Sequence, residues 1–181
     1  KALKTGEEYV FDRQQAHHAK TVLHLDRETV RLVYQEKGYF ATCYQKGNEF
    51  VGLVEREDPR NNELPCEITL AIALIRREKF EWILQKATEL GVSRIVPFES
   101  SRCVVHARKE KAGRQKERWE TIVQSAAEQC KRNRIPEITD IANFSDLHDL
   151  KAELKVCAYE NAYGNSRFLS NLYQGQRNVT V

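Results

Sequence analysis

The chain has 181 residues, 41% hydrophobic and 30% charged, and its 29 basic against 26 acidic side chains leave a net charge of +3. This composition excludes a disordered or fibrous chain, and no apolar run approaches the roughly 18 residues of a membrane-spanning helix or the apolar stretch of a signal peptide. The five cysteines, Cys43, Cys66, Cys103, Cys130 and Cys157, are never closer than 23 residues, which fits neither a disulfide framework nor a zinc knuckle and points to a reducing, cytoplasmic setting.

Residues 8–11, 29–34, 39–45 and 50–57 read as short strands, separated by turn-like Lys37-Gly38 and Lys46-Gly47-Asn48, with one helix over 14–23. The polar stretch 58–65, with two prolines and no periodicity, reads as a linker. The expected domains are therefore a β-rich module over 1–65 and an α/β domain over 66–181.

After residue 65 the texture changes. Residues 68–74 (ITLAIAL) form a continuous apolar run, as in a strand buried on both faces. Residues 78–90 place Phe80, Ile83, Leu84, Ala87 and Leu90 on one helical face, and Gly91 ends that helix. A strand follows over 94–98, then a long helix over 114–131 with a core stripe of Trp119, Ile122, Val123, Ala126, Ala127 and Cys130. Ser145 is positioned to cap a short helix. Residues 156–159 read as a strand, 166–173 as a helix, and 178–181 as the opening of another strand. Strands alternating with helices imply a mostly parallel sheet covered on both sides.

Charge is uneven. Residues 102–134 carry ten basic and four acidic side chains, whereas 1–65 and 66–101 are nearly balanced. This is the expected anion-facing segment, since clustered Lys and Arg concentrate and contact a phosphate backbone. Lys79, Trp82, Lys86 and Glu89 form one polar stripe beside the first helix's core, and Arg118, Ser125, Gln129 and Arg132 form another, with Glu128 beside it. Guanidinium forks and amides suit phosphate and base edges, and Trp82 offers a stacking plane. Stripe-edge positions predict that replacing Glu89 or Arg132 lowers turnover more than stability. His17-His18 has no third ligand at metal spacing, and no glycine-rich phosphate loop of the GxGxxG or GxxxxGK[ST] type occurs. These features disfavour a metal centre and a generic nucleotide-binding enzyme.

The stretches 79–92 (KFEWILQKATELGV), 97–105, Arg118-Trp119 and 127–137 (AEQCKRNRIPE) resemble the ribosomal RNA small-subunit methyltransferase E family, within the SPOUT or α/β-knot superfamily. Ala16-His17-His18 and Val22-Leu23 resemble its PUA-like N-terminal domain, although His24 stands where an Arg is usual. The resemblance implies a SPOUT-type, trefoil-knotted parallel-sheet domain preceded by a small PUA-like RNA-binding domain. It implies a homodimer in the cytoplasm, with no membrane and no metal, that transfers a methyl group from S-adenosyl-L-methionine to N3 of a uridine in 16S rRNA of the 30S subunit. The family's GPEGG loop is expected to follow a strand like 178–181, so the knot-forming part is expected to be incomplete in this chain and this form inactive.

By the same resemblance, Tyr159 and Glu160 are the expected cofactor contacts. Lys86, Arg102, Arg118, Glu128, Gln129, Arg132 and Arg134 are the expected substrate or RNA contacts, and Glu89 and Arg132 the candidates for catalysis. The competing reading is a non-catalytic RNA-binding or ribosome-assembly module on a degenerate scaffold of the same kind.

Overall fold

A computed structural model of the protein describes residues 2–103, 105–106, 112–159, 161, 164 and 167–181. Contacts divide the chain into two units, the first ending at Asn62 and the second starting at Glu63.

The first unit is built from β1 (Glu8–Val10), α1 (Arg13–His17), a π-helical turn over His18–Val22, β2 (Glu28–Tyr34), β3 (Lys37–Lys46) and β4 (Glu49–Asp58). The strands form an antiparallel sheet in the order β1-β4-β3-β2. Lys37-Gly38 does not make the first hairpin turn. Both residues are in β3, and the chain reverses at Gln35 and Glu36, whose φ values are 49° and 62°. Two consecutive left-handed residues give the turn a twist that matches the strands it joins. Gly38 is small for another reason: a Cβ there would lie 2.8 Å from Arg31 Nη2 and 3.2 Å from Asp58 Cβ. The space it leaves admits a buried carboxylate. Asp58 accepts from Arg31 Nε at 2.7 Å and from Arg60 Nε at 2.9 Å. Arg60, then Arg31, hold its carboxyl well below the usual range.

The second unit contains β5 (Glu67–Ala73), α2 (Arg77–Glu89), β6 (Arg94–Glu99), α3 (Ala112–Gln129), β7 (Glu137–Ile138), β8 (Ala142–Asn143), a 3-10 helix over Phe144–Asp149, β9 (Leu154–Lys155), α4 (Leu169–Leu172) and β10 (Asn178–Thr180). Its sheet is parallel in the order β7-β6-β5-β10-β9, with β8 also beside β6. Two successive crossovers in the same direction, β5-α2-β6 and β6-α3-β7, place α2 and α3 on one face of the sheet. Their apolar stripes close the core there: Phe80, Leu84 and Ala87 meet Trp119 and Val123 over Leu74, Ile95 and Ile138. The Phe80 and Trp119 rings are 4.7 Å apart.

Several local expectations change. Leu90 is 76% exposed, and Thr88 takes the buried place, its hydroxyl donating to the Leu84 carbonyl at 2.8 Å. The cause is a Schellman ending, in which Val92 N–H returns to Ala87 O and Gly91, at φ 97°, reverses the chain before Leu90 can turn inward. The 3-10 helix is capped by Asn143 with Asp146, not by Ser145. The strand expected over 156–159 is instead the short β9, which ends at Lys155. β5 is half-buried along most of its length rather than closed on both faces.

The expected linker is the largest revision. Asp58 ends β4, and Glu63 and Leu64 are built into the second unit. Leu64 lies against Gly91, where an added Cβ would come within 2.7 Å of it. Glu63 meets Arg132, which the sequence placed at the edge of a helical stripe. α3 stops at Gln129, Lys131 adopts φ 60°, and Arg132 turns back into the protein, only 5% exposed. Its Nη2 lies 2.5 Å from Glu63 Oε2, and its Nη1 donates to the Val92 carbonyl at 2.7 Å and the Thr88 carbonyl at 3.1 Å. Glu63 also accepts the Asn133 and Arg134 backbone N–H groups at 2.8 and 3.0 Å. Burial alone would raise the Glu63 carboxyl; Arg132 and the two N–H groups outweigh it and the net direction is down.

Two outcomes follow from these ion pairs. Arg132→Ala strands a buried carboxylate and two carbonyls, so chemical denaturation should show a loss of about 3–5 kcal/mol, reversing the expectation that this residue is neutral for stability. Asp58→Asn should be less stable than the parent at neutral pH. Because the folded carboxyl is the stronger acid, its stabilisation is complete above the ordinary aspartate value of 3.8 and disappears as the pH falls through the lowered folded value. The difference between parent and variant should therefore shrink in acid, read by denaturant titration at a series of pH values.

Candidate active site

The parallel sheet gives the second unit two unlike edges. α2 begins four residues after the end of β5, and α3 ends shortly before β7, so both helices run against the strands. Their N-termini lie at the carboxyl edge of the sheet and their C-termini at the amino edge. At about 3.3 Å per residue, six-residue β6 separates the edges by roughly 20 Å. The residues expected to form one site fall on both sides of this division.

At the amino edge are Lys86, Glu89, Glu128, Gln129, Arg132 and Arg134. Lys86 Nζ pairs with Glu89 at 2.7 Å, one helical turn away. Glu128 accepts from Gln124 Nε2 at 2.9 Å, and Arg134 lies 3.7 Å from Glu67 at the start of β5. Arg132 is enclosed in the Glu63 clamp, which fastens the ends of α2 and α3 together. Gln129 lines a cleft of about 280 Å³ between the two helices, with Gln85, Thr121, Ile122, Ser125 and Ala126.

At the carboxyl edge the strand order reverses. From β5 the chain proceeds outward through β6 to β7, whereas β10 and β9 lie on the opposite side of β5. In open α/β sheets, ligands bind in the crevice outside the carboxyl ends of the strands at such a reversal. β10 is held there by Val181 N–H to Thr69 O at 2.9 Å and by Val156 N–H to Thr180 O at 2.8 Å. Tyr159, four residues beyond the end of β9, is 59% exposed. Glu160, the other expected cofactor contact, lies outside the described residues. Arg102 sits in the turn after β6, where the Ser100 Oγ accepts its backbone N–H at 3.3 Å, and His106 Nδ1 is 3.3 Å from Glu99.

Charge pairing redraws the expected anion-facing segment. α3 itself holds three basic and three acidic residues. Lys116 pairs with Asp140 at 2.7 Å, and Arg118 grips Glu81 of α2 through Nε at 2.6 Å and Nη2 at 2.9 Å. The positive excess belongs to the flanks of α3: Arg102 and the segment leading into the helix, of which Arg108, Lys109 and Lys111 lie outside the described residues, and 131–134, where Arg132 is buried. Arg77 also pairs with Glu81, at 2.8 Å. Arg118 first, with Arg77, lowers the Glu81 carboxyl to about 2. Sequence reasoning missed Arg77 and Glu81, although their four-residue spacing on a helix is a visible pairing signal.

A family profile for an RNA methyltransferase domain matches residues 62–181. The ribosomal RNA small subunit methyltransferase E of Bacillus subtilis (strain 168) is 32% identical over 154 residues, 82% of this chain and 60% of that protein. The protein of the same name from Mesomycoplasma hyopneumoniae (strain 232) is 30% identical, over 90% of this chain and 71% of its own length. The chain thus spans about 60% of the Bacillus subtilis relative. Among solved structures, a Legionella pneumophila methyltransferase in complex with the cofactor SAM superposes with a TM-score of 0.81 at 25% identity, over 99% of this chain and 75% of that one. The Neisseria gonorrhoeae methyltransferase E bound to S-adenosyl methionine gives a TM-score of 0.82 at 24% identity, over 99% and 75%. Similarity over both units, at these identities and coverages, means that the chain belongs to the ribosomal RNA small subunit methyltransferase E family of RNA methyltransferases.

Proposed function

We propose that this protein transfers a methyl group from S-adenosyl-L-methionine to N3 of a uridine in the 16S rRNA of the small ribosomal subunit, with the reaction at the carboxyl edge of the parallel sheet. The observation that carries the reading is the reversal of strand order at β5 and β10, with the exposed Tyr159 following four residues after the end of β9, the neighbour of β10. The residues present suit an adenosine group, since Tyr159 offers a stacking face and the strand ends offer peptide groups. When bound, the cofactor supplies an electrophilic methyl on a sulfonium. The chain's own part is alignment and charge: Tyr159 holds the purine, and Arg102 and Arg118 meet backbone phosphates.

The reading leaves Glu89 and Arg132 outside the chemistry. Both lie at the amino edge, roughly 20 Å from the strand reversal, and Arg132 is committed to Glu63. Lys86, Glu128, Gln129 and Arg134 are kept as peripheral RNA contacts. The first unit is read as a PUA-like RNA-binding module, the second as a trefoil-knotted SPOUT domain that dimerises, and action on ribosomal particles places the protein in the cytoplasm. A ring buried in an RNA stack must be extruded before its N3 can react, at a cost of a few kcal/mol.

The test is incubation of the full-length protein with isotopically labelled S-adenosyl-L-methionine and either 30S particles or 16S rRNA lacking the modification. Label recovered as N3-methyluridine is the expected result. Label on another base or position, or none with well-folded protein, would overturn the assignment. Tyr159→Ala should leave the melting temperature within about a degree of the parent and weaken cofactor binding about tenfold, in line with roughly 1–3 kcal/mol for a lost stacking partner. Calorimetric titration reads the affinity, and an unchanged value would move the adenosine elsewhere.

A further inference from the structure

We propose that Arg77 and Arg118, locked together by Glu81, form a two-pronged phosphate clamp for the RNA backbone beside the carboxyl edge; the clamp rests on the RNA methyltransferase reading above. The two arginines come from different helices, yet they converge on one carboxylate. Glu81 Oε1 accepts from Arg77 Nε at 2.8 Å and Arg118 Nε at 2.6 Å, and its Oε2 accepts from Arg118 Nη2 at 2.9 Å. The carboxylate side chain is 18% exposed, whereas those of Arg77 and Arg118 are 67% and 52% exposed. One negative charge therefore orients two positive ones and leaves a surplus of +1 at the surface.

A guanidinium carries five N–H donors in a planar fork. Glu81 takes one from Arg77 and two from Arg118. The Nη groups of Arg77 and the Nη1 of Arg118 keep donors that Glu81 does not take, on side chains that are exposed and already held in place. Restraint of this kind removes part of the side-chain entropy that a free surface arginine loses on binding. A structural ion pair alone needs one arginine; a second, more exposed arginine on the same oxygen adds cationic donors that Glu81 cannot neutralise.

The position selects the ligand. Arg77 opens α2 four residues past the carboxyl end of β5, and Arg118 lies in the half of α3 nearer the same edge. Arg76 precedes Arg77, Arg114 lies one turn before Arg118, and Arg102 is in the neighbouring strand-end turn. The N-termini of both helices, which carry partial positive charge, face this edge. A polyanion with regularly spaced phosphates fits such a rim, whereas at the amino edge Arg132, Arg134, Lys86 and Arg94 are each matched by a carboxylate of their own, Glu63, Glu67, Glu89 and Glu137.

Glu81→Gln separates this clamp from simple electrostatics. Removing a negative charge from a surface that merely attracts RNA should tighten binding and steepen its salt dependence. Loss of a clamp that Glu81 orients should weaken binding despite the added positive charge. The probe is fluorescein-labelled oligouridylate, titrated by anisotropy against the full-length protein at several salt concentrations. We expect Glu81→Gln and Arg77→Ala each to weaken binding several-fold, and Arg77→Ala to reduce the log-log salt slope by about 0.7, the value for one lost single-strand phosphate contact. Arg77→Lys, which keeps the charge without the fork, should recover the slope but not the affinity. Circular dichroism melting checks folding, and Arg77, exposed in a first helical turn, gives a readable variant even if changes at Arg118 or Glu81 unfold the helix pair. Tighter binding by Glu81→Gln, or parental affinity and slope in Arg77→Ala, overturns the clamp. Methyl transfer from labelled cofactor is followed in parallel. Clamp variants that bind like a methylating parent refute the clamp alone, whereas a parent that binds through Arg77 without transferring methyl refutes the enzymatic reading alone.

Discussion

The second unit depends on a carboxylate placed under two helix ends. Glu63 would be costly to bury alone, and Arg132 equally so. Together, and with the carbonyls of Thr88 and Val92 and the N–H groups of Asn133 and Arg134, they satisfy one another inside the fold. The clamp acts where two Schellman endings meet. Val92 N–H closes α2 onto Ala87 O, and Arg132 N–H closes α3 onto Ala127 O by the same pattern. Each helix thus stops at a fixed point, and the guanidinium that follows the second stop ties it to the carbonyls around the first. The register of α2 against α3 is set by this junction together with the Phe80 and Trp119 contact.

That register governs what the opposite edge can do. With the C-termini pinned, the two N-termini come to the carboxyl edge side by side, and Glu81 can bridge Arg77 and Arg118 across the helix pair. The sheet contributes the other half of the arrangement. β10 enters between β5 and β9 rather than extending the sheet beyond β7, so the strand order reverses at β5, the kind of point outside which ligands bind in open α/β sheets. The buried Glu63 and Arg132 pair thus stands at the amino edge, and the exposed Arg77 and Arg118 pair at the other end of the same two helices.

The differences between expectation and structure share a cause. Helical spacing identifies residues on one face only while the helix continues. The reading of Arg132 as a stripe-edge residue assumed that α3 reaches it, but the helix ends at Gln129 and Lys131 adopts a left-handed conformation unusual for a lysine. Leu90 fails in the same way at the end of α2. The polar, proline-bearing 58–65 stretch resembled a linker because linker composition and buried ion-pair composition use the same residues. Asp58 pairs with its neighbour Arg60 but also with Arg31, 27 residues away, and Glu63 pairs with Arg132, 69 residues away, and no local window contains the two distant pairs.

Short-range periodicity and contiguous motifs were enough for the β-rich part and the alternating α/β part, the two amphipathic helices, the strands β5 and β6, and the family, whereas the two-residue β7 and β8 are too short to leave a pattern. Phe80, Leu84, Trp119 and Val123 are core residues by spacing alone, and burial agrees. The edge that each polar residue occupies follows from chain direction and long-range contacts, not from any local pattern. Lys86, Glu89, Gln129 and Arg132 stand beside Arg118 in the motifs, yet chain direction along α2 and α3 carries the first four to the amino edge, while Arg118 lies in the opposite half of α3 and Arg102 in the turn after β6. Whether a charged side chain binds a ligand or supports the fold depends on the partner that meets it. For Arg132 that partner is Glu63, 69 residues distant in sequence and 2.5 Å away in space, a proximity created by folding and carried by no local pattern.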